Sequence, residues 1–143
     1  GNIDKFSTVT CFGVAGATAV IVGKRIGEGA GKDEVYSLGC CLLTVSLGVG
    51  VAVVSMGAQG ALAARAQEAV FVPSLPLTVR TTVGAGDAMV AGLLYGFSQR
   101  DDLAWALRCG TASAAARCVC EGEGYLCART FESMLEKTKA VRI

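Results

Sequence analysis

Val49-Gly50-Val51-Ala52-Val53-Val54-Ser55-Met56 is short, rich in β-branched residues and continuous, without polar alternation. A strand covered on both faces, as in a parallel sheet, reads this way. Immediately before it, Lys32-Asp33-Glu34 opens an apolar stretch, and acidic residues suit a helix N-terminus. Val35, Leu38, Leu42 and Val45 recur at helical spacing on one face, and Gly48 is a helix stop. Helix, glycine stop and buried strand make an α/β unit. The expected architecture is therefore α/β, with Val49–Ser55 as an interior parallel strand flanked by helices.

Working outward, Ala61–Arg65 and Ala69–Val72 read as two short strands. Pro73 and Pro76 interrupt the pattern, and Leu77–Arg80 reads as one more strand. Thr81 to Asp87 is a glycine turn, and Ala88 to Phe97 an apolar helix. Asp101 or Asp102 caps the next helix, in which Leu103, Ala106, Leu107, Gly110 and Ala114 share a face. Glu121–Gly124 is a loop. Thr130 is placed to cap a last helix carrying Phe131, Met134, Leu135 and Thr138. Residues 1–31 carry little readable pattern beyond the apolar end Ala19–Val22 and the glycines at 27, 29 and 31, so the organised unit is 32–143.

The composition bounds the function. At 143 residues the chain has the size of one domain. Thirteen Lys and Arg stand against 12 Asp and Glu, which gives no basic stripe for nucleic acid. Histidine is absent, so Ser-His-Asp and Cys-His nucleophiles and His-ligated zinc are excluded. A general base must then be a carboxylate, Lys, Tyr or Cys. The seven cysteines are odd in number, two are adjacent, and none shows C-x-x-C spacing. Reduced thiols filling apolar space fit better than disulfides or zinc. Val35 to Ala64 has no charge and is long enough to span a bilayer, but its glycines break it into pieces too short to do so. The expected setting is cytoplasmic, with no membrane partner.

The strongest chemical feature is Thr81-Thr82-Val83-Gly84-Ala85-Gly86-Asp87-Ala88-Met89-Val90-Ala91-Gly92. Gly84 and Gly86 allow close backbone approach to a ligand. The unsatisfied N–H groups of the following first helical turn favour an anion. Asp87 stands at the edge of that site, where a carboxylate can take the proton of a hydroxyl attacking a phosphoryl group. The residues alone leave open a simple glycine turn with Asp as helix cap. A second feature is Ser55-Met56-Gly57-Ala58-Gln59-Gly60 at the end of the buried strand, where α/β sheets bind ligands. Strand-ending glycines are common, so alone it is weak.

Together these residues resemble the ribokinase-like (PfkB) family of carbohydrate kinases. The glycine-Asp turn is similar to that family's C-terminal motif, and Ser55 to Gly60 followed by Ala61-Leu62 to its nucleotide loop. Thr82-Val83 and Met89-Val90-Ala91-Gly92 resemble the branch acting on phosphorylated hexoses, such as 1-phosphofructokinase and tagatose-6-phosphate kinase. Cys109-Gly110-Thr111-Ala112-Ser113-Ala114-Ala115 and Glu121-Gly122-Glu123-Gly124 fit the same region, and the resemblance spans about residues 27–140.

The resemblance implies the C-terminal portion of a ribokinase-like, Rossmann-like parallel sheet flanked by helices. It implies ATP-dependent transfer to a hydroxyl of a phosphorylated ketohexose, with ATP and Mg2+ as cofactors. Asp87 is then the general base. Gly84, Ala85 and Gly86 form an anion hole. Ser55, Met56, Gly57, Ala58, Gln59, Gly60, Gly86 and Asp87 contact nucleotide, and the 103–115 helix walls the adenine side. Family members are about twice this length, and their N-terminal half binds the sugar. Their Lys-Pro-Asn strand end and Asn-x-x-Glu element are absent from residues 1–25, so no metal ligand is assigned. The expected partners are a sugar or sugar phosphate, and either the N-terminal half or another copy of the chain. Two further readings stay open: a nucleotide-binding fragment without catalysis, and a structural or interaction module.

Overall fold

The computed structural model describes residues 25, 28–29, 31–46, 48–65, 68–120 and 126–143. The readings on Ala19–Val22, on Cys11 and on Glu121–Gly124 lie outside these residues.

Helix α1 (Lys32–Ser46) carries Asp33 and Glu34 in its first turn, as its acidic start predicts. Leu38, Cys41 and Leu42 are buried, and Val45 packs against them. Gly48 ends the run: its φ is 98°, in the left-handed region, and its N–H donates to the Val45 carbonyl at 3.0 Å. Strand β1 (Ala52–Ser55) follows, so residues 35–64 are a helix, a glycine stop and strands. No helix among the described residues is long and apolar enough to cross a membrane.

Strands β2 (Ala61–Arg65) and β3 (Glu68–Val72) come next, and the chain closes on β4 (Val141–Arg142). The sheet order is β1-β2-β3-β4, with each neighbouring pair antiparallel. The parallel arrangement expected for Val49–Ser55 is therefore not seen among the described residues, and β1 stands at the end of this order. The physical reason is loop length. Five residues separate β1 from β2, enough for a hairpin, whereas a parallel connection needs a dozen or more. What the uncharged run does report is burial on two faces. Leu62 and Ala64 of β2 pack toward α1 with Leu38 and Leu42. Ala61 and Ala63 pack on the other face, with Met89, Leu103 and Leu107.

Leu77–Arg80 forms no strand. β3 already has β2 and β4 on its two sides, so no position beside it is open. Leu75 and Leu77 instead pack against Ala112, Ala115, Ala116 and Met134.

Helix α2 spans Ala85–Gln99. It begins earlier than the Ala88 start expected, so Gly86 and Asp87 belong to its first turn and the turn proper ends at Gly84. An acidic third residue is favourable at a helix N-terminus, which supports the early start. Helix α3 (Leu103–Val119) is capped by Asp102, whose Oδ1 accepts from the Trp105 N–H at 3.0 Å. Its neighbour Asp101 pairs with Arg65 instead. Helix α4 (Ala128–Lys137) starts at an N-cap of Cys127, which corrects the cap expected at Thr130. The Phe131 N–H donates to the Cys127 carbonyl at 3.0 Å, so Thr130 already lies inside the first turn.

The α2–α3 pair is packed through missing side chains. A Cβ on Gly92 would lie 2.5 Å from the Cys109 carbonyl oxygen, one on Gly96 2.6 Å from Ala106 Cα, and one on Gly110 2.8 Å from Leu93 Cγ. We expect Gly96→Ala to lower stability by about 1–3 kcal/mol, because the clash is with backbone that cannot rotate away. Gly39→Ala, mid-helix in α1 with no atom within 4 Å of the new methyl, should raise it by about 0.5–1 kcal/mol. Urea titration of both variants checks the opposite signs.

Candidate active site

Strand register sets the site. Ser55 pairs with Ala61, and Ala61 with Val72. The loop leaving β1 and the connection leaving β3 therefore emerge at one end of the sheet. Met89, in the second turn of α2, packs in the same core cluster as Ala61 and Val72, which ties the start of α2 to that sheet.

The first loop is a tight, glycine-closed turn. A single 3₁₀ turn spans Gly57–Gln59. Gly57 and Gly60 have φ of 55° and 113°, a region open to few residues other than glycine. The Met56 N–H donates to the Gly60 carbonyl at 2.8 Å. A Cβ on Gly60 would strike the Val72 carbonyl oxygen and lie 2.8 Å from Pro73 Cα, so only glycine fits there. Two side chains outside the loop hold its shape. Gln59 Nε2 donates to Asp33 Oδ2 at 2.9 Å, and Ser74 Oγ donates to the Ala58 carbonyl. Ser55, Gly57, Ala58 and Gln59 are exposed, while Met56 is half-buried against the α1 cluster and Gly60 is buried.

The second loop leads into α2. The Arg80 and Thr81 N–H groups both donate to the Cys118 carbonyl, at 2.8 and 3.3 Å, so the turn is hung from the C-terminal end of α3. Val83 N–H donates to Thr81 Oγ1 at 3.2 Å. Gly84 caps α2 with φ 78° and ψ 4°, the left-handed conformation that its sequence position predicts. Among the three proposed anion-hole residues, the Ala85 N–H already donates to the Thr82 carbonyl at 3.2 Å. The N–H groups of Gly86 and Asp87 are first-turn donors, which lack intrahelical acceptors. Gly86 and Asp87 are exposed, and no described residue forms an ion pair with Asp87.

Sequence reasoning missed three residues around these loops. Asp33 was legible only as a helix-start acid. Ser74, between two prolines, showed nothing of its contact with Ala58. Arg117, in the last turn of α3, packs so that its Nε is 3.4 Å from a Cβ built on Gly84. The helix expected to wall the adenine, 103–115, lies within α3, on whose C-terminal end the glycine turn rests.

An open cleft of 590 Å³ lies elsewhere, lined by Arg100, Asp102, Trp105, Arg108 and Lys139 among others. It sits at the N-terminal end of α3, roughly 20 Å along the helix from Cys118. Arg108 there is occupied with the end of α4, donating to the Thr138 and Leu135 carbonyls at 3.1 Å each. The cleft is therefore separate from the two loops.

The thiols differ in their surroundings. Cys40, Cys41, Cys109, Cys118, Cys120 and Cys127 carry no disulfide. Burial pushes Cys41 up to about 11, with Cys40 adding to the effect. Burial also raises Cys109 and Cys118. At the start of α4, the backbone N–H of Thr130, then its hydroxyl, hold the exposed Cys127 below the ordinary thiol range.

The model of the pfkB family of carbohydrate kinases matches residues 38–130. The chain belongs to that family of carbohydrate kinases. A 1-phosphofructokinase of Rhodobacter capsulatus is 49% identical over 65 residues, covering 46% of this chain and 21% of the relative. An ATP-dependent 6-phosphofructokinase isozyme 2 of Mycobacterium tuberculosis is 43% identical over 72 residues, covering 50% and 21%. Phosphofructokinase-2 of Escherichia coli, solved with substrates and products, superposes with a TM-score of 0.64 at 27% identity, covering 75% of this chain and 34% of that one. The match thus spans about a fifth of the length of these curated relatives.

Two outcomes check the site's construction. Gly60→Ala should cost about 2–5 kcal/mol, since strain at positive φ adds to a backbone clash; a melting temperature unchanged from the parent would contradict it. Under mildly alkaline native conditions, iodoacetamide should modify Cys127 first among the described cysteines and leave Cys41 and Cys109 intact, as peptide mass mapping would reveal.

Proposed function

We propose that the chain is the nucleotide-binding part of an ATP-dependent sugar kinase, which transfers the γ-phosphoryl group to a hydroxyl of a phosphorylated ketohexose. One observation carries this reading. Asp87 is exposed on the first turn of α2, beside N–H groups that lack intrahelical acceptors, in a chain of the pfkB family. Anions are stabilised at such a turn by the N–H groups and the helix dipole together. A carboxylate beside the transferred phosphoryl group takes the proton of the attacking hydroxyl, while the N–H groups of Gly86 and Asp87 offset the charge that develops. Ser55 to Gly60 line the nucleotide.

The anion hole assigned to Gly84, Ala85 and Gly86 is best carried by Gly86 and its neighbour Asp87, because the Ala85 N–H is engaged by Thr82. The described residues form no cage for Mg2+: no three carboxylate, thiol or imidazole groups cluster among them. Mg2+ is commonly held by one or two carboxylates plus substrate phosphates, so the ion belongs with the nucleotide. Sugar binding is assigned to the larger portion of such kinases that this chain does not match, supplied in the same polypeptide or by a partner. A second reading is nucleotide binding without turnover.

The test has two arms. ATP is titrated into the protein, and ATP-dependent phosphorylation of fructose 1-phosphate, fructose 6-phosphate and tagatose 6-phosphate is assayed with the sugar-binding portion present. Asp87→Asn, nearly isosteric but unable to accept a proton at neutral pH, should leave ATP affinity almost unchanged. Turnover should fall toward the upper end of the ~10²–10⁴-fold range of a lost general base. Turnover within about threefold of the parent would reduce Asp87 to a helix-start acid, whose loss costs only about 0.3–1 kcal/mol of stability. ATP binding with no turnover of any sugar phosphate would select the second reading.

A further inference from the structure

Arg117 lies in the last turn of α3, where a basic side chain ordinarily hydrogen-bonds the final carbonyls. It does not serve that role through Nη1, which is buried and has no hydrogen-bond partner among the described residues. The Cys118 carbonyl beside it is taken by the N–H groups of Arg80 and Thr81. Its Nε instead lies beside the glycine turn, 3.4 Å from the position a Cβ on Gly84 would occupy.

The electrostatics of this contact are unusual. Gly84 caps the N-terminus of α2, a 15-residue helix whose dipole puts partial positive charge at that end. Arg117 adds a full positive charge behind the same turn. Two positive features converge, and no described carboxylate forms an ion pair with Arg117. A buried, unpaired guanidinium nitrogen is costly, and removing a charge's partner costs more than removing that of a neutral group. An anion on the open side of the turn offsets both contributions at once.

We propose that Arg117 is the fixed positive charge behind the phosphate-binding turn, a positioning residue that strengthens binding of a polyphosphate at the first turn of α2. It acts through the turn and does not touch the ligand. Its Nε sits beside Gly84, and its charge adds to the field felt by the phosphates. The inference rests on the reading of this turn as the phosphate site. The ligand class is a polyphosphate chain, whether free or as the tail of a nucleoside triphosphate.

Inorganic tripolyphosphate and ATP are titrated separately into the protein, followed by the amide resonances of Gly86 and Asp87 and by the Arg117 Nε–H resonance. In the wild-type protein all three signals should move together with tripolyphosphate, a test that needs no variant. Arg117→Met and Arg117→Gln, which keep bulk and remove charge, should weaken tripolyphosphate binding roughly tenfold, the size expected of one fixed charge several ångströms away at an effective dielectric near 20. Arg117→Lys should restore most of it. A purely structural Arg117 would give the reverse, with Met tolerated and affinity following melting temperature. A still Arg117 resonance, unmoved amides, or neutral variants that titrate like the parent would each overturn the proposal. Tripolyphosphate binding as expected, with ATP binding no tighter than tripolyphosphate, would uphold Arg117 and sink the nucleotide reading alone.

Discussion

The close approach of α2 and α3 is the constraint on which the rest of the structure depends. Gly92 and Gly96 on one helix, and Gly110 on the other, leave no room for a side chain between them. Interiors are packed like organic crystals, so a contact of this kind has one position and not a range of them. Because α3 also packs on β2 and β3 through Leu103 and Leu107, the pair is fixed against the sheet. The N-terminus of α2 is thereby held at the C-terminal end of α3. The Cys118 carbonyl can then take both Arg80 and Thr81, and Arg117 can lie beside Gly84.

The two loops are built on different terms. The turn at Gly57–Gln59 is held by its own backbone and by contacts reaching in from Asp33 and Ser74. Its glycines are required by positive φ and, at Gly60, by the backbone of Val72 and Pro73. The turn at Gly84 is held by a helix end, and its glycine is required by its positive φ. Both present exposed backbone at rigid positions. That combination suits a site in which phosphate oxygens are held by N–H groups and few side chains are needed.

The same logic explains where charge is found. The sheet and its covering helices are lined by small apolar residues, with Ala61, Ala63, Ala64, Ala69, Ala106, Ala112 and Ala116 all buried. Several ionisable groups sit at helix ends, where dipoles offset their charge. Asp102 starts α3 and is held below the usual carboxylate range, chiefly by the Trp105 backbone N–H. Arg108 closes α4 by donating to its last carbonyls. Arg117 is the exception, since the end of its own helix leaves Nη1 unpaired among the described residues.

Much of the fold was legible in the residues alone. The spacing of Val35, Leu38, Leu42 and Val45, the stop at Gly48 and the existence of the strands on either side of Gly60 are local patterns with local causes. The glycine turn and Asp87 were legible for the same reason, since helix starts and positive-φ positions are written in short motifs. Strand direction was not, because a continuous apolar run reports cover on two faces and says nothing of polarity. Nor was the absence of a strand at Leu77–Arg80, which depends on β4 arriving from the far end of the chain to occupy the side of β3. The helix starts at Ala85 and Ala128 were set by backbone bonds that Ala88 and Phe131 each make four residues back. The roles of Asp33, Ser74 and Arg117 were decided only by tertiary structure. Each acts on a residue at least 16 positions away, and local pattern carries no information across that distance.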